Sequence, residues 1–243
     1  MQSLPSSATA ATIGASGGIG ASLLAALQLD PAFTTIHALG RAFEDAPGQD
    51  RVRHHRLDLT DEASIEVAAG RIAGPVHLLI VATGTLRPAG HAPEKTYRAM
   101  DPVALLEAFR INTIGPALIA KHMLPLLPSQ GRGIFAALSA RVGSIGDNRA
   151  GGWHAYRASK AALNMIIRNL AIETARRNNE TICVGLHPGT VDTGLSRPFQ
   201  RGVPEGKLFT PDYAATRLLD VIDGLTAEDS GKVLAWDGAV VPP

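Results

Sequence analysis

Short apolar runs alternate with helical stretches along almost the whole of this 243-residue chain, and no other feature restricts its fold as strongly. The runs are Ala10–Ile13, Thr35–Leu39, Arg53–Leu57, Val76–Val81, Gly133–Leu138, Thr181–Leu186 and Lys232–Trp236. Between them lie helical stretches Gly18–Gln28, Asp61–Ala73, Asp101–Leu127, Ala155–Arg177 and Pro211–Gly224. Strands that are apolar on both faces and separated by helices form parallel sheets covered on both sides. The pattern therefore predicts an α/β fold: a doubly wound parallel sheet of about seven strands with helices on both faces. No repeat, low-complexity tract or linker divides the chain, so residues 1–243 read as a single domain. The irregular stretches 82–100, 140–154 and 188–210 each follow a strand end. In an open parallel sheet, ligands bind at the carboxyl ends of the strands. A stretch as long as 188–210 usually forms a lid or stays disordered.

Charge and cysteine content exclude several classes. A net charge of +1 provides no field for nucleic acid or an anionic membrane. The one cysteine, Cys183, permits no intrachain disulfide, and its apolar strand setting marks it as a small core hydrophobe rather than a reactive thiol. No uninterrupted apolar run reaches the ~18 residues of a membrane span. Residues 1–8 lack the basic start of a signal peptide, which makes the cytoplasm the expected compartment. No His/Cys/Asp/Glu group has metal-ligand spacing, so no metal is expected.

The first strand runs into Gly14-Ala15-Ser16-Gly17-Gly18-Ile19-Gly20, immediately before a helix. Glycines let a backbone approach a phosphate, and the free N–H groups of a helix start face the anion. At the end of the second strand, an NAD site usually offers a carboxylate to the ribose 2′-hydroxyl. Here the chain reads His37-Ala38-Leu39-Gly40-Arg41-Ala42, with no acid before Glu44. The planar fork of Arg41 suits a 2′-phosphate, so NADP(H) is expected over NAD(H). The plainer reading of Arg41 is a solvated loop residue. Asp58 either lies beside an adenine or turns the chain into the helix from Asp61.

Tyr156 and Lys160, in Tyr156-Arg157-Ala158-Ser159-Lys160-Ala161-Ala162-Leu163, share one helix face. A free phenol titrates near ~10, and a neighbouring ammonium lowers that value, which would make the pair a general acid–base group. Pro116 cannot bond the carbonyl four residues back. That carbonyl belongs to Asn112, and it is either free to hold a water or merely part of a packing kink.

Taken in order, Gly14–Gly20, Asp58, Asn112, Tyr156–Lys160 and Pro188-Gly189-Thr190-Val191-Asp192-Thr193 resemble the motifs of the short-chain dehydrogenase/reductase family, over almost the whole chain. Gly143–Asn148, Gly151-Gly152 and Ser230-Gly231-Lys232 with Trp236-Asp237-Gly238 are similar to a branch containing C-factor (C-signal) proteins and sniffer-type carbonyl reductases. The resemblance implies a Rossmann-like domain that transfers hydride between NAD(P)(H) and a small-molecule carbonyl or alcohol, with Tyr156 as acid–base. It implies that Lys160 serves both the tyrosine and the nicotinamide ribose, and that Asn112 joins the lysine to solvent. Cofactor contacts are implied for Gly14, Ser16, Gly17, Gly18, Ile19, Gly20, Arg41, Asp58, Leu59, Ala82, Thr83, Gly84, Asn112, Tyr156, Lys160, Pro188, Gly189, Val191 and Thr193. A homodimer or homotetramer follows by the same analogy.

Two departures stand out. Val81-Ala82-Thr83-Gly84 lacks the amides with which many members brace neighbouring strands, and Thr83 is the expected substitute. The family's usual serine position holds Ala140. Ser139, at a strand end, is then the expected oxyanion donor, with Ser144 the alternative. His154 is placed either in the pocket or on the surface, and His187 either there or in a turn. The rival to an enzyme is a dinucleotide-binding signalling or regulatory protein of the C-factor type with little turnover; retention of Tyr156, Lys160 and Asn112 together favours the enzyme.

Overall fold

The computed structural model describes residues 1–45 and 51–243. A seven-stranded, wholly parallel sheet is built from β1 (Ala8–Ile13), β2 (Phe33–Gly40), β3 (Val52–Arg56), β4 (Leu78–Val81), β5 (Gly133–Leu138), β6 (Thr181–His187) and β9 (Val233–Ala235). Its order is β3-β2-β1-β4-β5-β6-β9. The chain reverses its direction of winding between β1 and β4, and a crevice opens beyond the strand ends there.

The alternation of side chains explains the two layers. In β5, Ile134, Ala136 and Leu138 join a buried cluster with Leu23, Leu27, Leu218 and Ile222, which come from helices α1 (Gly18–Leu29) and α6 (Pro211–Asp223). Phe135 and Ala137 face the other way, against Ile65, Ile119, Leu163 and Ile167 of α2 (Glu62–Gly70), α4 (Gly115–Met123) and α5 (His154–Ala175). Cys183 lies in the same layer, and burial pushes its thiol up to about 11, which fits a packing residue. Helix starts follow their caps. Asp61 accepts from Ala63 N at 3.1 Å, and Asp101, ahead of Pro102, accepts from Ala104 N at 2.8 Å.

The stretch expected as one helix over Asp101–Leu127 is helix α3 (Pro102–Phe109), a π-turn at Arg110–Ile114, α4 and a 3₁₀ turn at Leu124–Leu126. By length and composition, Pro102–Leu126 is apolar enough to cross a membrane, which corrects the expectation that no segment passes that test. Scattered charges such as Glu107 and Lys121 hide it from a search for unbroken runs. In the fold, α3 packs on α5 and α4 packs on α2. The long stretch 188–210 is pinned at both ends: β7 (Thr190–Val191) pairs in parallel with β8 (Leu208–Phe209), and a 3₁₀ turn forms at Arg197–Phe199.

Candidate active site

Beyond the strand ends lie two adjoining cavities, of about 500 and about 630 Å³. Gly17, Ala82, Thr83 and Gly84 line both.

The glycine turn shapes the floor of the junction. Gly14 is left-handed, with φ +82°, and its carbonyl accepts from Gly17 N at 2.9 Å. A side chain at Gly20 would place its Cβ 2.0 Å from Gly14 O, and one at Gly18 would place it 2.7 Å from Thr193 Cγ2. Helix α1 has no side-chain cap and no acid in its first turn, so its start is left for an anion. These cradles fit a dinucleotide pyrophosphate, and the buried Thr83 Oγ1, which has no partner among the described residues, offers a further polar contact.

The larger cavity is lined by Ser16, Arg41, Leu59, Arg110 and Ile111, with Leu57, Thr60 and Thr85. Arg110 and Ile111 belong to the π-turn, which a plain helical pattern does not distinguish from α-helix. Asp58 is a turn residue: its Oδ1 accepts from Thr60 N at 2.9 Å and Thr60 Oγ1 at 2.8 Å. Burial raises its pKa, but those bonds and the charges of Arg41 and Arg110 carry it below the ordinary value. The wall at this point is formed by its neighbours Leu57, Leu59 and Thr60.

At the smaller cavity, Tyr156 and Lys160 project from the first two turns of α5, and Lys160 Nζ sits 6.0 Å from the Tyr156 ring centre. Lys160 is buried and donates to Leu138 O at 2.8 Å. Burial lowers its pKa to about 8 and pushes the Tyr156 phenol up to about 12. The expectation that the ammonium lowers the phenol is thus not met in the protein alone: desolvation acts on both groups and dominates. At that value the phenol keeps its proton at neutral pH.

Asn112 is fully buried in the π-turn. Its Oδ1 accepts from Thr85 N at 2.8 Å, and its Nδ2 donates to Thr85 O at 2.9 Å and Ser159 Oγ at 3.0 Å. The amide therefore straps the segment after β4 to α5. Thr83 is the expected brace, but its hydroxyl has no partner among the described residues, and Asn112 fills that role from another element.

Ser139 lines the smaller cavity with Tyr156 and Lys160, where the strand end was expected to bring it. Ser139 Oγ donates to Asn164 Oδ1 at 2.6 Å, two helical turns beyond Tyr156, so its proton is engaged away from that phenol. Ser144 is buried outside the cavity wall, and its oxygen accepts from Asp147 N at 3.0 Å. Ala140 lines the cavity between Ser139 and Arg141. Ile19, Pro188, Gly189, Val191 and Thr193 line it as expected, and so does His187, whose pKa burial lowers to about 4. His154 does not. The outer walls, Leu86, Val142, Trp153, Leu195, Phe199 and Val203, were not legible as a set, because they come from three irregular stretches whose folding no periodicity reports. Among the described residues, no three His, Cys, Asp or Glu side chains gather as a metal would require.

A glycine cradle at the first strand–helix turn, a crevice at the sheet reversal and a Tyr–Lys pair on one helix face together define a dinucleotide-dependent oxidoreductase of Rossmann-like fold. The family model described as short chain dehydrogenase matches residues 8–203, and the chain belongs to that family of NAD(P)-dependent oxidoreductases. It is 38% identical over 143 residues to C-signal of Myxococcus xanthus, covering 59% of this chain and 81% of that protein. It is 32% identical over 182 residues to 1-hydroxy-2-glutathionyl-2-methyl-3-butene dehydrogenase of Rhodococcus sp. (strain AD45), covering 75% and 76%. Among solved structures, NADPH-bound carbonyl reductase from chicken fatty liver superposes with a TM-score of 0.80 at 26% identity, covering 99% and 95%. Carbonyl reductase Sniffer of D. melanogaster shares the fold, with a TM-score of 0.82 at 23% identity over 97% and 99%.

Proposed function

We propose that this protein is an NADPH-dependent carbonyl reductase acting on apolar carbonyl compounds. The observation that carries the reading is Tyr156 beside the buried Lys160, where an apolar cavity meets a phosphate cradle. When bound there, the nicotinamide supplies the hydride. Tyr156 gives its proton to the carbonyl oxygen as negative charge develops on it. Lys160 favours the phenolate that remains, and Asn112 holds the loop after β4 against α5, which fixes both groups relative to the crevice. With the Ser139 proton on Asn164, Tyr156 is the principal side-chain donor to the substrate oxygen. Arg41 and Arg110 along the adenosine side, with no carboxylate at the end of β2, favour the 2′-phosphate of NADPH. The chicken enzyme, with its bound NADPH, is consistent with that choice.

The cavity walls favour branched or aromatic carbonyl compounds over small hydrophilic ones. The test is NADPH consumption, followed at its absorbance, with a panel of aldehydes, ketones and quinones. Turnover of apolar members with NADPH preferred supports the reading, and no turnover with any member refutes it. The likeness to C-signal favours a second reading, a cofactor-binding signalling protein, for which Tyr156 would be dispensable. Under either reading, the family analogy favours pairing of copies through α3 and α5, where Val103, Leu106, Met165 and Ile172 are exposed. Sedimentation would show it.

A further inference from the structure

Among the described residues, only two side chains with a formal charge at neutral pH are buried, Lys160 and Glu94. Lys160 belongs to the acid–base pair. Glu94 lies far from it in sequence, in the irregular segment between β4 and α3. A buried carboxylate is costly unless it is hydrogen-bonded, and its partner is informative. Both oxygens accept from Ala155 N, at 3.2 and 3.4 Å. Ala155 immediately precedes Tyr156, in the first turn of α5. That turn has no acid of its own and no side-chain cap, because the capping position holds Trp153. The first N–H groups of a helix need such a partner, and here it comes from another segment of the chain.

The backbone of Glu94 makes a second attachment: its carbonyl accepts from Trp153 N. Trp153 is strained. Gly151, Gly152 and Trp153 have φ of +62°, +63° and +51°, three consecutive left-handed residues. L-residues normally visit that region one at a time, and a tryptophan there persists only when its surroundings hold it. Glycine suits the left-handed backbone at 152, where a Cβ would also crowd Glu94 O at 3.2 Å. The result of this conformation is the position of the indole. Its ring stands edge-on to Phe199 of the 188–210 stretch at 5.4 Å and to Tyr156 at 6.4 Å, and it forms part of the cavity wall.

We propose that Glu94 is a positioning residue of the active site: its carboxylate caps α5 at Tyr156 while its carbonyl holds Trp153 left-handed, so that the indole walls the substrate cavity between Tyr156 and Phe199. Glu94 touches neither cavity, so it acts through these two residues. The inference rests on the carbonyl-reductase reading for its kinetic consequences only.

The test compares Glu94→Asp, Glu94→Gln and Glu94→Ala. Aspartate keeps the charge but is one methylene short of Ala155 N; glutamine keeps the length and an acceptor oxygen. The order expected for kcat/KM with an apolar ketone is wild type, Gln, then Asp and Ala. Gln should lie within about 3-fold of wild type and Asp about 10-fold or more below, a loss shared between kcat and KM, at unchanged NADPH affinity. A second readout needs no turnover. In a Trp236→Phe background the only indole is Trp153, and its fluorescence should become more accessible to acrylamide in Glu94→Asp and remain shielded in Glu94→Gln. Glu94→Asp equal to wild type in both readouts overturns the proposal, as does a loss of NADPH binding parallel to the loss of turnover. If no carbonyl is reduced by wild type while the indole is still released by Glu94→Asp, the carbonyl-reductase reading fails and the positioning role stands. If Glu94→Ala does not fold, the aspartate and glutamine variants decide the question alone.

Discussion

Gly20→Ala probes the phosphate cradle with a single methyl group. The added Cβ would sit 2.0 Å from Gly14 O, 2.8 Å from Gly14 C and 3.2 Å from Ala15 Cα. All three are backbone atoms, so no side chain can swing aside. Ordinary contact between heavy atoms is ~3.5 Å, so the turn must open by about 1.5 Å. N–H groups aimed at an anion tolerate only a few tenths of an ångström before the bond weakens. Losing one or two bonds to a charged group, at ~1.5–3 kcal/mol each, lowers NADPH affinity on the order of 100-fold. Overpacking costs the fold itself ~1–3 kcal/mol, a fall in Tm of about 2–12 °C for a chain of this size. Fluorescence titration with NADPH and thermal melts measure the two effects separately. Gly70→Ala is the control: it lies at the exposed end of α2, nothing lies within 4 Å of its Cβ, and alanine is the better helix former by about 1 kcal/mol. It should leave binding unchanged and Tm equal or slightly higher. NADPH affinity within 3-fold of wild type in Gly20→Ala, roughly the precision of such a titration, would show that the pyrophosphate does not rest on this turn.

Arg41→Asp should shift preference from NADPH towards NADH, because a carboxylate repels the 2′-phosphate and accepts the 2′-hydroxyl; titration of both cofactors reads this, and tighter NADH binding by wild type would sink the assignment. Ser139→Ala should lower kcat by less than about 10-fold, well short of the ~10²–10³ that a lost oxyanion donor costs, since its proton rests on Asn164; a loss in that larger range would restore Ser139 as the donor. Acid should destabilise the fold between about pH 6.5 and 4. Burial lowers His37 to about 4, so the unfolded chain takes up its proton first as the pH falls and the native state loses ground across that window. The His37 ring lies 2.8 Å from His55, whose pKa burial also lowers. Urea melts of His37→Gln should therefore show a flatter pH dependence than wild type, and an unchanged slope would place the acid sensitivity elsewhere.

Much of this architecture is written locally. The continuous apolar runs of β4 and β5 allow only strands buried on both faces, and Asp101-Pro102 marks a helix start that the structure reproduces. Gly14–Gly20 and the Tyr156–Lys160 spacing carry their geometry in a few adjacent residues. What escaped the sequence depends on contacts between distant segments. The proton of Ser139 goes to Asn164, 25 positions away, and a strand pattern cannot tell which hydroxyl at a strand end will find such a partner. Asn112 braces a loop 27 positions away, where sequence reasoning looked to Thr83. Nothing in the sequence singles out Glu94, and only the fold shows it buried against α5. The raised phenol of Tyr156 depends on how much protein surrounds the pair, which spacing along a helix does not report.

Tyr156→Phe, measured beside wild type for both NADPH oxidation and NADPH binding, tests the central claim most directly. The substitution removes the proton that reaches the carbonyl oxygen and alters the cavity by one oxygen atom. The account predicts turnover reduced at least ~10²-fold, the scale of general acid catalysis, with NADPH affinity within a factor of about 3. Turnover near the wild-type rate in Tyr156→Phe would contradict it.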